Sequence, residues 1–224
     1  DAPYEKIERG VETPWKINTN FSENLPENID EIETTKKLFP SSKNYLDIYD
    51  SKGFLGKGSL MAHAIYLKEQ EWERLAETQT SIVHCPTSNL FLGSGLFNMK
   101  KCRDYNIPLA LGSDVGGGLS FSMLKTAAEA YKIAALQNIE FTARNAFYLL
   151  TLGGAKALNQ DAYIGNFEVG KEADFVVLDT GSTELMQKRL SNTDDIDEIL
   201  FVLMMLGDER NIHSVYLQGK EANV

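Results

Sequence analysis

Short apolar runs and stretches of helical spacing alternate along this chain from residue 28 to residue 137. Residues 59–67, 81–85 and 108–113 are apolar runs with the length of buried strands, and residues 15–21 predict a shorter strand ahead of them. Between the strands the period lengthens. Residues 28–39 set Ile29, Ile32 and Leu38 at helical spacing and stop at Pro40, and residues 69–78 predict a helix that packs through Trp72, Leu75 and Ala76. Residues 96–105 read as helical, and residues 121–137 place Leu124, Ala127, Ala128, Tyr131 and Ala135 on one buried side. Residues 45–58 read as a loop with a small folded turn. Four strand-plus-helix units in succession predict an α/β chain built on a parallel sheet or barrel. A complete (β/α)8 barrel takes ~250 residues, so four units amount to half of one.

Beyond residue 140 the pattern changes. Residues 142–158 predict a helix ended by Asn159, and residues 164–179 a turn followed by a strand rich in β-branched residues. Residues 196–206 are a strongly apolar helix, and residues 212–218 alternate as a half-buried strand with Gly219-Lys220 as the turn after it. The predicted organisation is a partial barrel over residues 1–160. Residues 161–224 then form an extension with a helix and strands of a small β-domain, whose strands find partners outside the barrel.

Three of the apolar runs end on polar groups suited to catalysis: His63, His84-Cys85 and Asp114, the last followed by Gly116-Gly117-Gly118. Asp114 is the most informative, because a buried strand that delivers a carboxylate to a glycine-rich loop presents a metal ligand or a base. Its alternative role is to cap the helix near Ser122. His63 is alternatively a core histidine, His84 a residue that only hydrogen-bonds a loop, and Glu23 a solvated acid. Cys85 reads as a small buried residue, with no base nearby to make it a nucleophile. The glycine run lacks the Lys-Ser/Thr pair of a phosphate loop.

Composition narrows the function. A chain of 224 residues with 43% hydrophobic content can bury one substantial core, and a net charge of −10 argues against a nucleic-acid partner. A neutral or cationic small substrate is the better match. Two cysteines give no disulfide framework and predict a cytoplasmic setting. No run has the length of a membrane span, and Asp1-Ala2-Pro3-Tyr4-Glu5-Lys6 does not read as a signal peptide.

His84-Cys85-Pro86-Thr87-Ser88-Asn89-Leu90, Gly93-Ser94-Gly95-Leu96-Phe97-Asn98 and Gly112-Ser113-Asp114-Val115-Gly116-Gly117-Gly118 resemble guanine deaminases, members of the metal-dependent amidohydrolase superfamily. Met61-Ala62-His63-Ala64-Ile65-Tyr66-Leu67 is similar to that family's sixth barrel strand, and Gly170-Lys171-Glu172-Ala173-Asp174 to the superfamily's return into its β-sandwich. The resemblance runs from about Trp15 to Lys220 and implies the C-terminal half of a TIM barrel with part of the accompanying β-sandwich. It implies a zinc cofactor that lowers the pKa of water, and hydrolysis of guanine to xanthine and ammonia in purine catabolism. Asp114 is then a metal ligand and base, Glu23 the proton shuttle, and His63 a catalytic and substrate-binding residue. His84 is a further substrate-binding candidate. A homodimer, common in that family, or pairing with an N-terminal half is the implied assembly.

The chain also departs from that pattern. Asn18 and Asn20 stand where the family carries histidine, the position of Asn20 being a zinc ligand there. The first-strand His-x-His pair is absent, and the only histidines are His63, His84 and His213. Amide side chains are poor zinc ligands, so the chain alone is expected to be inactive. Two alternatives stay open: a non-catalytic relative serving as a purine-binding or interaction scaffold, and an amidohydrolase for another nucleobase or a triazine.

Overall fold

The computed structural model describes residues 22–222. The candidate strand at residues 15–21, with Asn18 and Asn20, lies outside them. Four strands, β1 (Ser22–Asn24), β2 (Leu60–Ala62), β3 (Ser81–His84) and β4 (Leu109–Leu111), form one parallel sheet in sequence order. Each crossover carries helix: α1 (Ile29–Leu38) and α2 (Tyr45–Asp50), then α3 (Glu69–Thr78), then α4 (Pro86–Phe91) and α5 (Met99–Asp104). After β4 the chain continues through α6 (Met123–Leu136), α7 (Ala143–Leu150) and α8 (Leu152–Ala157). The inner strands β2 and β3 are covered as parallel pairing requires, with Met61 and Ile82 fully buried, whereas β1 is polar throughout.

The boundaries differ from the sequence pattern for local reasons. The apolar run after residue 59 stops being a strand at Ala62, because His63 and Ala64 take left-handed φ of 66° and 55°. Residues 45–50 are helix rather than loop, started by the Asn44 side chain, which accepts from Asp47 N at 2.8 Å. Pro86 does more than close a strand: it occupies the first turn of α4, where its missing N–H costs nothing. The helix expected over residues 142–158 breaks at Thr151 into α7 and α8.

Helix α3 shows how the outer layer is secured. Trp72 and Leu75 are buried, and the Trp72 ring lies 6.3 Å from that of Phe97 and stacks with that of Tyr105 at 6.4 Å. Glu71, beside them, is also buried. One of its carboxylate oxygens accepts from Leu46 N at 3.1 Å and the other from Lys68 N at 2.9 Å. An acid inside the core thus satisfies the start of its own helix and the first turn of α2 together.

A second sheet, β5 (Phe175–Leu178), β6 (Ile212–Leu217) and β7 (Lys220–Glu221), is antiparallel. Among the described residues its strands pair with one another, and the Phe175 and Tyr216 rings stack at 4.5 Å. The turn is Gln218-Gly219, both with positive φ, one residue earlier than the sequence suggested. Asp174 accepts from Gln218 N at 2.7 Å, so the Gly-Lys-x-Ala-Asp segment ties strand entry to this hairpin. Helices α9 (Glu184–Leu190) and α10 (Ile196–Leu206) lie between β5 and β6, and α10 packs on α6 and α7, with the Tyr131 and Phe201 rings edge-on.

Replacing Glu71 with Leu strands two backbone donors, one at Leu46 and one at Lys68. Chemical denaturation should show a loss of about 2–4 kcal/mol. Glu71→Gln keeps one acceptor oxygen and should lose less.

Candidate active site

Parallel pairing brings the C-terminal ends of the strands to one edge. The ladder runs one step past the strands: Leu25 N donates to Ala62 O at 3.0 Å, His63 N to Val83 O at 3.0 Å, and Gly112 N to His84 O at 2.9 Å. Polar residues that follow the strands therefore emerge together. Asp114 takes a left-handed φ of 46° and does not cap α6, whose start at Ser122 has no side-chain cap. Its loop needs glycine at 118, where a Cβ would lie 1.9 Å from Ser113 O.

His63 is buried between two acids. Its Nε2 lies 3.8 Å from Asp114 Oδ2, and its Nδ1 lies 3.0 Å from Asn89 Nδ2 and 3.5 Å from Glu27 Oε2. The same Glu27 oxygen accepts from Asn89 Nδ2 at 3.2 Å and from Ser94 Oγ at 3.0 Å. Asp114 is the open member, with 39% of its side chain exposed. Glu27, Asn89 and Ser94 were not singled out from sequence. Glu27 and Ser94 are 67 residues apart, and no local pattern marks that contact.

Glu23 lies on β1, partly buried and paired with Met61, two positions short of the level of His63. It forms none of the hydrogen bonds around that imidazole among the described residues.

The thiol of Cys85 completes a group of three possible ligand atoms, with His63 and Asp114, all within 4.8 Å of one another. Its donor chemistry argues against a role as ligand in this state. The sulfur donates to Val83 O at 3.7 Å, and burial, reinforced by the Asp114 charge, pushes the thiol up to about 12. Among the described residues of this group, a carboxylate and an imidazole are left to meet a zinc ion, both ordinary zinc ligands but short of the three that a catalytic site takes from protein. The residues therefore fit part of a zinc site, centred on Asp114.

His84 does not line this opening. It is fully buried, stacks on Phe97 at 4.7 Å, and neither ring nitrogen has a partner among the described residues. Burial, with His63 nearby, pushes it down from 6.5 to about 3. A cavity of about 450 Å³ beside Pro108, Leu109, Phe141 and Tyr148 opens at the other end of β4 and includes none of these groups.

His84 makes stability depend on pH in a defined direction. Between about 6.5 and 3 the unfolded chain binds a proton that the folded chain refuses, so stability falls as pH drops, by up to about 1.4 kcal/mol per unit. His84→Phe preserves the ring stack and should flatten that slope relative to the parent in urea titrations from pH 7 to 4.

The chain matches the model of the amidohydrolase family over residues 16–222. It is 50% identical to guanine deaminase of Escherichia coli (strain K12) over 196 residues, covering 88% of this chain and 45% of that one. The structure of E. coli guanine deaminase superposes with a TM-score of 0.88 at 49% identity, covering 89% of this chain and 47% of that chain. Guanine deaminase from C. acetobutylicum, with guanine bound in its active site, superposes at 0.80 with 32% identity, over 89% and 48% of the two chains. An adenosine deaminase from Xanthomonas campestris with bound zinc does so at 0.73 with 26% identity, over 89% and 44%. Among the described residues no helix is long and apolar enough to cross a membrane. The chain belongs to the amidohydrolase family and spans about half the length of the guanine deaminases it resembles.

Proposed function

We propose that this chain supplies the Asp114–His63 side of a hydrolytic guanine deaminase site. One observation carries the reading: Asp114 Oδ2 and His63 Nε2 face each other at 3.8 Å on the strand-end edge, with Asp114 open and His63 buried. An exposed carboxylate beside a fixed imidazole suits proton removal from water next to a planar, hydrogen-bonding substrate. Zinc, when bound, supplies the Lewis acidity that brings the pKa of water toward neutrality, and Asp114 is the residue that would hold it.

In this reading Asp114 takes a proton from the attacking water, and a C–O bond forms at the ring carbon that carries the amino group. Glu23, protonated at the start, gives its proton to the ring nitrogen, takes the proton of the newly added hydroxyl and passes it to the amino group, and the proton held on Asp114 restores Glu23 after the product leaves. The C–N bond breaks and ammonia leaves, giving xanthine. His63 Nε2 contacts the substrate or the incoming oxygen. The similarity to guanine deaminases over most of this chain favours guanine above other nucleobases and triazines. With asparagine at 18 and 20, where the resemblance expects histidine, and no His-x-His pair, this segment alone is expected to be inactive.

A chimera tests this. Residues 22–222 replace the matching half of E. coli guanine deaminase, and ammonia release from guanine is followed. The chimera should deaminate guanine, and Asp114→Asn or Glu23→Gln should each lower the rate ~100- to 10,000-fold. A folded chimera with no activity would instead assign this segment to a non-catalytic scaffold. A second chimera carrying residues 16–222 then measures what Asn18 and Asn20 cost.

A further inference from the structure

We infer that Asn89 is a positioning residue that sets the tautomer of His63 and so determines which ring nitrogen presents a hydrogen toward Asp114. The inference begins with Glu27. Its Oε2 accepts from Ser94 Oγ at 3.0 Å and from Asn89 Nδ2 at 3.2 Å. A carboxylate oxygen only accepts, so the Asn89 amide must present its NH2 there. Turned over, the amide would set its carbonyl oxygen against the carboxylate, two acceptors in contact beside a buried imidazole.

That NH2 has a second hydrogen, and His63 Nδ1 lies 3.0 Å away. With Asn89 donating, Nδ1 must be the bare nitrogen, and the ring hydrogen sits on Nε2. Nε2 is the nitrogen 3.8 Å from Asp114 Oδ2. The alternative, Nδ1–H donating to Glu27 at 3.5 Å, is long for such a bond and sets a donor against the Asn89 hydrogens.

Other features of Asn89 agree with a fixed orientation. Its side chain is fully buried, and its backbone N donates to Cys85 O at 3.0 Å in α4, directly after β3. Its Oδ1 has no partner among the described residues. A buried amide that leaves its own oxygen unpaired gives up stability, and the hydrogens it directs at Glu27 and His63 are what it gains.

The use of the hydrogen on Nε2, as a donor to the substrate or the attacking oxygen, rests on the function proposed above. The tautomer itself does not, and it can be read without turnover. The chain has three histidines, so ring-¹⁵N labelling gives three imidazole patterns in a two-bond ¹H–¹⁵N spectrum, with His63 identified by its loss in His63→Gln. At neutral pH the parent should show a protonated Nε2 and a bare Nδ1 at His63. In Asn89→Ala the nearest partner of Nδ1 becomes Glu27, and the hydrogen should move to Nδ1. Unchanged His84 and His213 signals show that the fold is kept. A parent His63 protonated at Nδ1 overturns the inference, as does Asn89→Ala that keeps its fold and the Nε2–H form. If the variant does not fold, the parent spectrum decides alone. An inactive chimera with the expected tautomer would count against the deaminase reading only.

Discussion

The parallel hydrogen-bond ladder across β1 to β4 is the constraint on which the candidate site depends. Each strand is only three or four residues long, yet the ladder runs past the strand ends through Leu25, His63 and Gly112. A parallel ladder gives every strand the same polarity, so the residue after each strand emerges at the same edge. His63 and Asp114 meet because β2, β3 and β4 hold a common register. Gly112 keeps that register close, since a Cβ there would come within 2.7 Å of Val83 Cγ1 on the neighbouring strand.

The site is also where the fold accepts local cost. His63, Ala64 and Asp114 all hold left-handed backbone, a conformation that a non-glycine residue keeps only when its surroundings enforce it. His84, Ser88 and Asn89 carry buried polar atoms without partners among the described residues. These residues lie at or just beyond the ends of β2, β3 and β4, whereas in the outer layer Glu71 satisfies backbone donors of α2 and α3. Left-handed residues occur elsewhere too, as at Gln79 and Gln218 where a helix or strand ends, but among the described residues the buried polar atoms without partners are gathered at this edge.

Of the three polar strand endings, two meet at one edge and one packs inward. His63 and Asp114 face each other, whereas His84 joins the aromatic column of Phe97, Trp72 and Tyr105. A strand alternates its side chains between its two faces, so neighbouring residues at a strand end need not share an environment. His84, a substrate-binding candidate in the sequence, and Cys85, which reads there as a small buried residue, are both buried. One has its imidazole held neutral and the other its thiol held protonated.

Much of the frame was legible in the residues. The apolar runs at 81–84 and 109–111, the helices rich in Leu, Ala and Trp, and the polar endings at His63 and Asp114 all follow from period and composition, because burial selects residue type at every position. The early end of β2, the break at Thr151 and the helix at Tyr45–Asp50 were not legible, since each depends on backbone angles and side-chain caps set by neighbours. The environment of His63 lay furthest beyond reach. Glu27, Asn89 and Ser94 are scattered through the sequence and acquire meaning only when the turn after β1 and the helix after β3 fold over the same imidazole. Sequence determined which chemical groups the strands deliver. Tertiary structure alone decided which of them share a hydrogen bond, because that choice depends on distances of a few ångströms between segments far apart in the chain.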